Sequence, residues 1–83
     1  MIGNFKIAVL QTLAASGDYL SPQNTLYMEA NLRLAKQMSW TEFLQILADF
    51  EQKRRVVSQR DEDGNLKWKI TDNGRARLAE LVT

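Results

Sequence analysis

Apolar residues recur at intervals of three and four positions in the first two thirds of the chain, a spacing that predicts amphipathic helices. The first predicted helix spans about residues 4–16, and Gly17 can end it because glycine adopts the left-handed cap conformation freely. The second starts at Ser21 as N-cap, with Pro22 at the first helical position, and continues to about residue 36 or 37.

The third predicted helix has the strongest start signal. Ser39 and Glu42 stand three residues apart before an apolar run, which is the pattern of a capping box. The helix continues to about Arg54. Its apolar side is formed by Trp40, Phe43, Leu44, Leu47 and Phe50. Only two or three residues are left between the second and third helices, so the pattern predicts a tight turn, as in a helix-turn-helix.

The period then changes from helical to alternating. Residues 56–60 are rich in strand formers, residues 61–65 contain Asp-Gly, and residues 66–70 alternate strictly, which predicts a β-hairpin. In the second strand Leu66, Trp68 and Ile70 share one face, and Lys67 and Lys69 share the other.

A last helix, capped by Thr71 or Asp72, carries Leu78, Leu81 and Val82. The fold class expected from these elements is α+β, mainly α, in the order α1-α2-α3-β-hairpin-α4. Since 83 residues seldom divide into two cores, we expect one domain over residues 1–83. We also expect both Trp68 and Trp40 to be packed in its core.

Composition removes several function classes. The chain has no cysteine and no histidine, which excludes Cys/His zinc sites and His-dependent catalytic triads. The adjacent acids Asp61, Glu62 and Asp63 lack the ligand spacing of a calcium loop. We therefore expect no catalytic residues, no metal and no cofactor, and a protein that is not an enzyme. The longest apolar run, Ile7–Leu10, is far too short to span a membrane, and we expect a cytoplasmic location.

Charge is distributed unevenly along the chain. Residues 1–52 carry three bases and five acids, whereas residues 53–77 carry eight bases and four acids. The net charge is only +1, but this concentration of bases predicts a side of the molecule that faces a polyanion.

Two segments resemble a known family. The stretch Ile70-Thr71-Asp72-Asn73-Gly74-Arg75 is similar to the Leu-Thr-x-x-Gly-Arg sequence that ends the wing of MarR-like and PadR-like transcription regulators. The preceding segment from Leu44 to Val57 resembles the end of their recognition helix and the first wing strand. The resemblance implies a winged-helix fold, with the third helix in the major groove of duplex DNA and the wing on the adjacent backbone. The acidic residues Glu42 and Asp49 on the third helix, and the acidic wing tip, depart from that pattern.

Candidate DNA-binding residues follow from these predictions. Thr41, Gln45 and Gln52 can read base edges, and Arg60, Lys67, Lys69, Arg75 and Arg77 can neutralise phosphates. Two alternatives remain open. The outward lysines could simply protect an exposed strand from aggregation, and the domain could be a protein-interaction module that does not bind DNA.

A homodimer is a further expectation, because one small module with few bases has little affinity for DNA alone. Two surfaces are candidates for the dimer contact. One is the uncharged stripe of the first helix, formed by Asn4, Ala8, Gln11 and Ala15, and the other is the apolar pair Met28 and Leu32 of the second helix.

Overall fold

The computed structural model describes residues 2–82, with side chains described from Asn4 onward. The elements are α1 (Ile2–Ala15), β1 (Ser21–Pro22), α2 (Gln23–Leu32), α3 (Trp40–Gln52), β2 (Val56–Arg60), β3 (Leu66–Ile70) and α4 (Asp72–Leu81). The strands form an antiparallel sheet in the order β1-β3-β2. The predicted class, mainly helical with a hairpin between the third and last helices, is confirmed.

One apolar core joins the helices to the inner face of the sheet. Its buried members are Phe5, Ala8, Val9, Leu10, Leu13, Leu26, Ala30, Met38, Phe43, Ile46, Leu47, Phe50, Val56, Trp68 and Ile70. Trp68 is therefore a core residue, as predicted. None of the helices within residues 2–82 has the length and apolar character needed to cross a membrane.

Local motifs set most of the helix boundaries. Gly17 follows α1 with a φ of +61°, a conformation that glycine adopts without a steric penalty. At α3 the Ser39 hydroxyl accepts from the Glu42 N–H, and the Glu42 carboxylate accepts from the Ser39 N–H, so the predicted capping box is confirmed. Thr71 caps α4, because its hydroxyl accepts from the Gly74 N–H.

The predicted start of α2 is one residue too early. Ser21 is not its N-cap but lies in β1, where it is buried and pairs with Trp68. Its hydroxyl donates to the Ser16 hydroxyl at 3.2 Å, so it is not free to cap a helix. Pro22 occupies the cap position, and Gln23 begins α2 and accepts from the Trp68 indole N–H at 2.9 Å.

The predicted end of α2 and the tight turn after it are also wrong, because α2 stops at Leu32 and residues 33–39 connect it to α3. The buried Asn31 explains the early stop. Its amide oxygen accepts from the Met38 N–H at 2.9 Å, and its own carbonyl accepts from the Gln37 amide at 3.1 Å. The Tyr27 hydroxyl adds a bond to the Met38 carbonyl at 2.8 Å. These side chains take up backbone groups that a longer helix would have used, and they fix where α3 begins.

Trp40 does not lie in the core, contrary to the prediction. It is 38% exposed and lies at the edge of the apolar side of α3, edge-on to Tyr27 at a centroid distance of 5.1 Å. Leu44, also assigned to that side, is 37% exposed, and Ile46 is buried in its place. The buried side of α3 is thus rotated slightly from the predicted one.

The uncharged stripe of α1 is interrupted. Asn4 and Ala15 are exposed, but Ala8 is only 2% exposed and belongs to the core. The four residues therefore do not form one continuous exposed stripe, contrary to the expectation for α1.

Candidate nucleic-acid interface

Helix α3 presents an exposed strip that bears no charge. Its buried residues, Phe43, Ile46, Leu47 and Phe50, define one side of the helix. The helical period places Thr41, Gln45, Ala48 and Gln52 on the opposite side, and all four are exposed. We call these four residues the α3 strip. It brings together the three predicted base-reading residues Thr41, Gln45 and Gln52.

The Glu42 carboxylate is committed to the start of α3. It accepts from the Ser39 N–H at 2.9 Å, and this bond, with the contact to the Ser39 hydroxyl, holds the pKa of Glu42 below its ordinary value of 4.5. The group is therefore ionised at neutral pH and satisfied by the helix terminus that it caps.

The other two carboxylates of α3 are also engaged within the fold. Asp49 lies 3.3 Å from the Lys53 ammonium and 3.9 Å from that of Lys6. Glu51 accepts from the Ser58 hydroxyl at 2.7 Å. The sequence indicated an acidic helix face with no base before Lys53, whereas the fold supplies Lys6 from α1. The acids flank the α3 strip and do not lie within it.

The hairpin has two chemically different faces, which its register defines. Arg60 pairs with Leu66 and Ser58 pairs with Trp68, so these residues share the inner face of the sheet. Lys67 and Lys69 pair with Gln59 and Val57 on the outer face. Arg60 therefore does not share a face with the two lysines, although all three are predicted phosphate contacts.

A groove separates α3 from the inner face of the hairpin. It is lined on the helix side by Leu44, Ala48 and Glu51, and on the hairpin side by Ser58 and Arg60. Because Ala48 belongs to the α3 strip, the groove runs alongside the predicted reading surface. Arg60 is the wing base that lies beside it.

The Asp61 carboxylate stabilises the turn at the tip of the hairpin. The Asp61 carboxylate accepts from the backbone N–H groups of Asp63 and Asn65, both at 2.9 Å. The bond from Asn65 holds the pKa of Asp61 below its ordinary value of 3.8. The Arg60 guanidinium donates to the Gly64 carbonyl at 2.6 Å and braces the same turn. No set of three acidic side chains in residues 2–82 is arranged to hold a metal ion.

The remaining predicted phosphate contacts are dispersed. Lys69 lies 3.7 Å from Asp18, and Arg77 lies 3.8 Å from Glu80. Arg75 is exposed on α4. The structure thus brings Thr41, Gln45 and Gln52 together on one side of α3, and it distributes the predicted phosphate contacts over both faces of the hairpin and α4.

A further group of bases lies where α3 ends, and only one of its members, Arg75, is among the predicted site residues. We call Lys53, Arg54, Arg55 and Arg75 the basic corner. The run of three consecutive bases is visible in the sequence, but their proximity to Arg75 depends on how α4 packs. The Lys53 carbonyl accepts from the Asn73 amide at 3.0 Å, which joins the two helices there.

Three helices, a β-hairpin beside the third helix and a closing helix define a winged-helix domain, and the fold expected from the sequence is confirmed. Among solved structures, the chain is similar to the PcaV transcriptional regulator from Streptomyces coelicolor in complex with its natural ligand, with a TM-score of 0.74 and 18% identity. That match covers 93% of this chain and 50% of PcaV, so the chain spans half the length of that protein.

Two smaller proteins have the same fold. A candidate DNA-binding protein from Ralstonia eutropha matches with a TM-score of 0.72 and 17% identity, over 95% of each chain. SSV1 F-93 matches with a TM-score of 0.69 and 17% identity, over 92% of this chain and 80% of that one. No protein-family model matches the sequence, and a search of curated proteins gives no significant match.

Proposed function

We propose that this domain binds duplex DNA and regulates transcription, with the α3 strip in the major groove and the hairpin on the neighbouring backbone. The α3 strip carries the proposal. It is exposed and uncharged, and two of its residues, Gln45 and Gln52, have amides that can pair with adenine edges. The similarity to PcaV, a transcriptional regulator, and to a candidate DNA-binding protein supports it.

The internal partners of Asp49 and Glu51 on α3 also support this proposal. Free carboxylates beside the α3 strip would repel phosphates, but Asp49 has two ammonium partners and Glu51 has a hydroxyl partner. On one flank of the strip, the two ammonium groups therefore offset the negative charge of Asp49. On the other flank, the Ser58 hydroxyl holds the Glu51 carboxylate against the first strand of the hairpin.

The test is the salt dependence of DNA binding. Fluorescence anisotropy with a labelled mixed-sequence duplex should show binding at about 50 mM salt that weakens steeply toward about 200 mM, because each neutralised phosphate contributes about 0.9 to the slope of log K against log salt. Alanine substitution of both Lys67 and Lys69 should lower affinity for all duplexes alike and reduce that slope. The reduction should be smaller for Lys69 alone, since Lys69 is already near Asp18. A wild-type protein that does not bind at low salt would contradict the proposal.

We also propose that the protein acts as a homodimer through Met28 and Leu32. These side chains are 62% and 84% exposed and lie one turn apart on α2. A two-fold contact through this pair would let the two α3 strips bind two half-sites together. Leu32→Glu should convert the dimer to a monomer in sedimentation equilibrium and weaken binding to a two-site duplex at least tenfold. Val82→Glu, which adds the same charge at an exposed apolar residue after α4, should leave the dimer intact and affect binding far less. A wild-type protein that is monomeric at high concentration would rule the dimer out.

The same apolar pair favours a second candidate function, a protein-interaction module that does not bind DNA. On that hypothesis Leu32→Glu abolishes recovery of a protein partner, while substitution of Lys67 and Lys69 leaves it unchanged. The salt titration on the wild-type protein separates the two candidates directly.

A further inference from the structure

The fold uses most of its basic side chains internally. Of the eleven lysines and arginines, six have a partner: Lys6 and Lys53 with Asp49, Lys69 with Asp18, Arg77 with Glu80, Arg33 with the Thr12 hydroxyl, and Arg60 with the Gly64 carbonyl. Five side chains make no hydrogen bond or ion pair within residues 2–82: Lys36, Arg54, Arg55, Lys67 and Arg75. Three of these five belong to the basic corner. The acids nearest to them in the chain are Glu51, three residues before Arg54 and bonded to the Ser58 hydroxyl, and Asp72, exposed three residues before Arg75.

Hydrogen bonds from the start of α4 hold the backbone of residues 53–55 in the basic corner. The Thr71 hydroxyl donates to the Arg54 carbonyl at 2.7 Å, and the Thr71 N–H donates to the Arg55 carbonyl at 3.1 Å. With the bond from Asn73 to Lys53, three successive carbonyls at the end of α3 accept from residues at the start of α4. The backbone that carries these bases is thus ordered before a ligand binds, which lowers the entropic cost of binding there.

Arg54 has a conformation that its side chain does not favour. Its φ is +60°, in the left-handed region, where glycine is the usual residue after a helix. The fold requires only its carbonyl, which bonds to Thr71 and which glycine would supply equally well. An exposed arginine held in this conformation without an internal partner therefore points to a role outside the fold.

Three of the four bases of the corner follow the α3 strip directly in the chain. Gln52 is the last residue of the strip, and Lys53, Arg54 and Arg55 follow it directly. An uncharged strip can read bases but contributes little electrostatic attraction, so affinity must come from phosphate contacts at its borders. We propose that Arg54, Arg55 and Arg75 form a phosphate anchor that binds the DNA backbone beside the bases contacted by α3. The anchor rests on the proposed DNA-binding function and adds residues to it that supply sequence-independent affinity.

Arg54→Gly tests the anchor, because it removes the guanidinium and suits the left-handed backbone. We expect the thermal unfolding midpoint to stay the same or rise. Affinity for unrelated duplexes should fall about tenfold at low salt, and the salt slope should decrease by about 0.9, the value for one phosphate contact. Arg54→Lys, which keeps the charge at the same place, should retain most of the affinity and the full slope.

The outcomes separate the anchor from the proposed function. If the wild-type protein does not bind duplex DNA, the proposed function fails and the anchor with it. If the wild-type protein binds with a steep salt dependence while Arg54→Gly and Arg75→Gln both keep its affinity and slope, the anchor alone is overturned. If Arg54→Gly lowers the unfolding midpoint, Arg75→Gln decides, because Arg75 lies on a regular helix and its change does not affect the left-handed residue.

Discussion

Replacing Gly74 by alanine is expected to destabilise the protein by about 3 kcal/mol or more, the upper end of the cost of overpacking. Gly74 lies in the first turn of α4 and is buried where this helix meets the end of α3. A Cβ atom there would collide with the Arg55 carbonyl oxygen and lie 2.7 Å from Cγ1 of Ile70. The carbonyl cannot turn aside, because it already accepts from the Thr71 N–H. Relief would require α4 to move away from the basic corner.

The sign of this effect is opposite to that of helix propensity. In an open helix, glycine to alanine stabilises by about 1 kcal/mol. Chemical denaturation followed by circular dichroism would measure the change, with Gly17→Ala as the matched control. Gly17 has a positive φ, but a Cβ added to it would meet no atom within 4 Å, so alanine there should cost only about 1 kcal/mol. Equal or greater stability of Gly74→Ala would show that α4 packs differently.

Features encoded within a few residues could be predicted from the sequence. The capping box of α3 depends on Ser39 and Glu42 alone, and the hairpin depends on an Asp-Gly turn between two strand-forming segments. Thr71 is three residues from the N–H that it caps. In each case the partners are fixed by the local backbone, so sequence spacing is enough to identify them.

Features that depend on partners far away in the chain could not be predicted from the sequence. Strand β1 exists because Ser21 pairs with Trp68, which is far along the chain, and its two residues leave no alternation to detect. Likewise, no local pattern places Lys6 beside Asp49. These contacts arise from tertiary packing, which overrides local preference.

The face of the hairpin on which Arg60 lies depends on register. Residues 56–60 do not alternate strictly, so the strand's own sequence does not assign its faces. Only the pairing of Arg60 with Leu66 across the turn places it on the inner face. The shared side of Thr41, Gln45 and Gln52 could therefore be predicted from the regular period of α3, whereas the face of Arg60 could not be predicted from its strand.

Ala48→Glu is expected to reduce affinity for duplex DNA about 100-fold. Ala48 is exposed in the middle of the α3 strip and also lines the groove beside Arg60. A carboxylate there would face the DNA phosphates, and the neighbouring Arg60 guanidinium already donates to the Gly64 carbonyl. Like charges brought together at an interface cost several kcal/mol, and about 3 kcal/mol corresponds to roughly a 100-fold loss of affinity. Stability should change by less than about 0.5 kcal/mol, since both residues are good helix formers.

Ala35→Glu provides the matched control for this variant. Ala35 is also exposed, but it lies beside α1, where it lines a shallow depression with Ile7 and Gln11. Both variants add one negative charge to the protein, so the change in net charge is the same and only its location differs. If the α3 strip enters the major groove, Ala48→Glu must weaken binding far more than Ala35→Glu in the same anisotropy titration. Equal small losses would mean that only net charge matters, and would place the DNA contact on a surface other than α3.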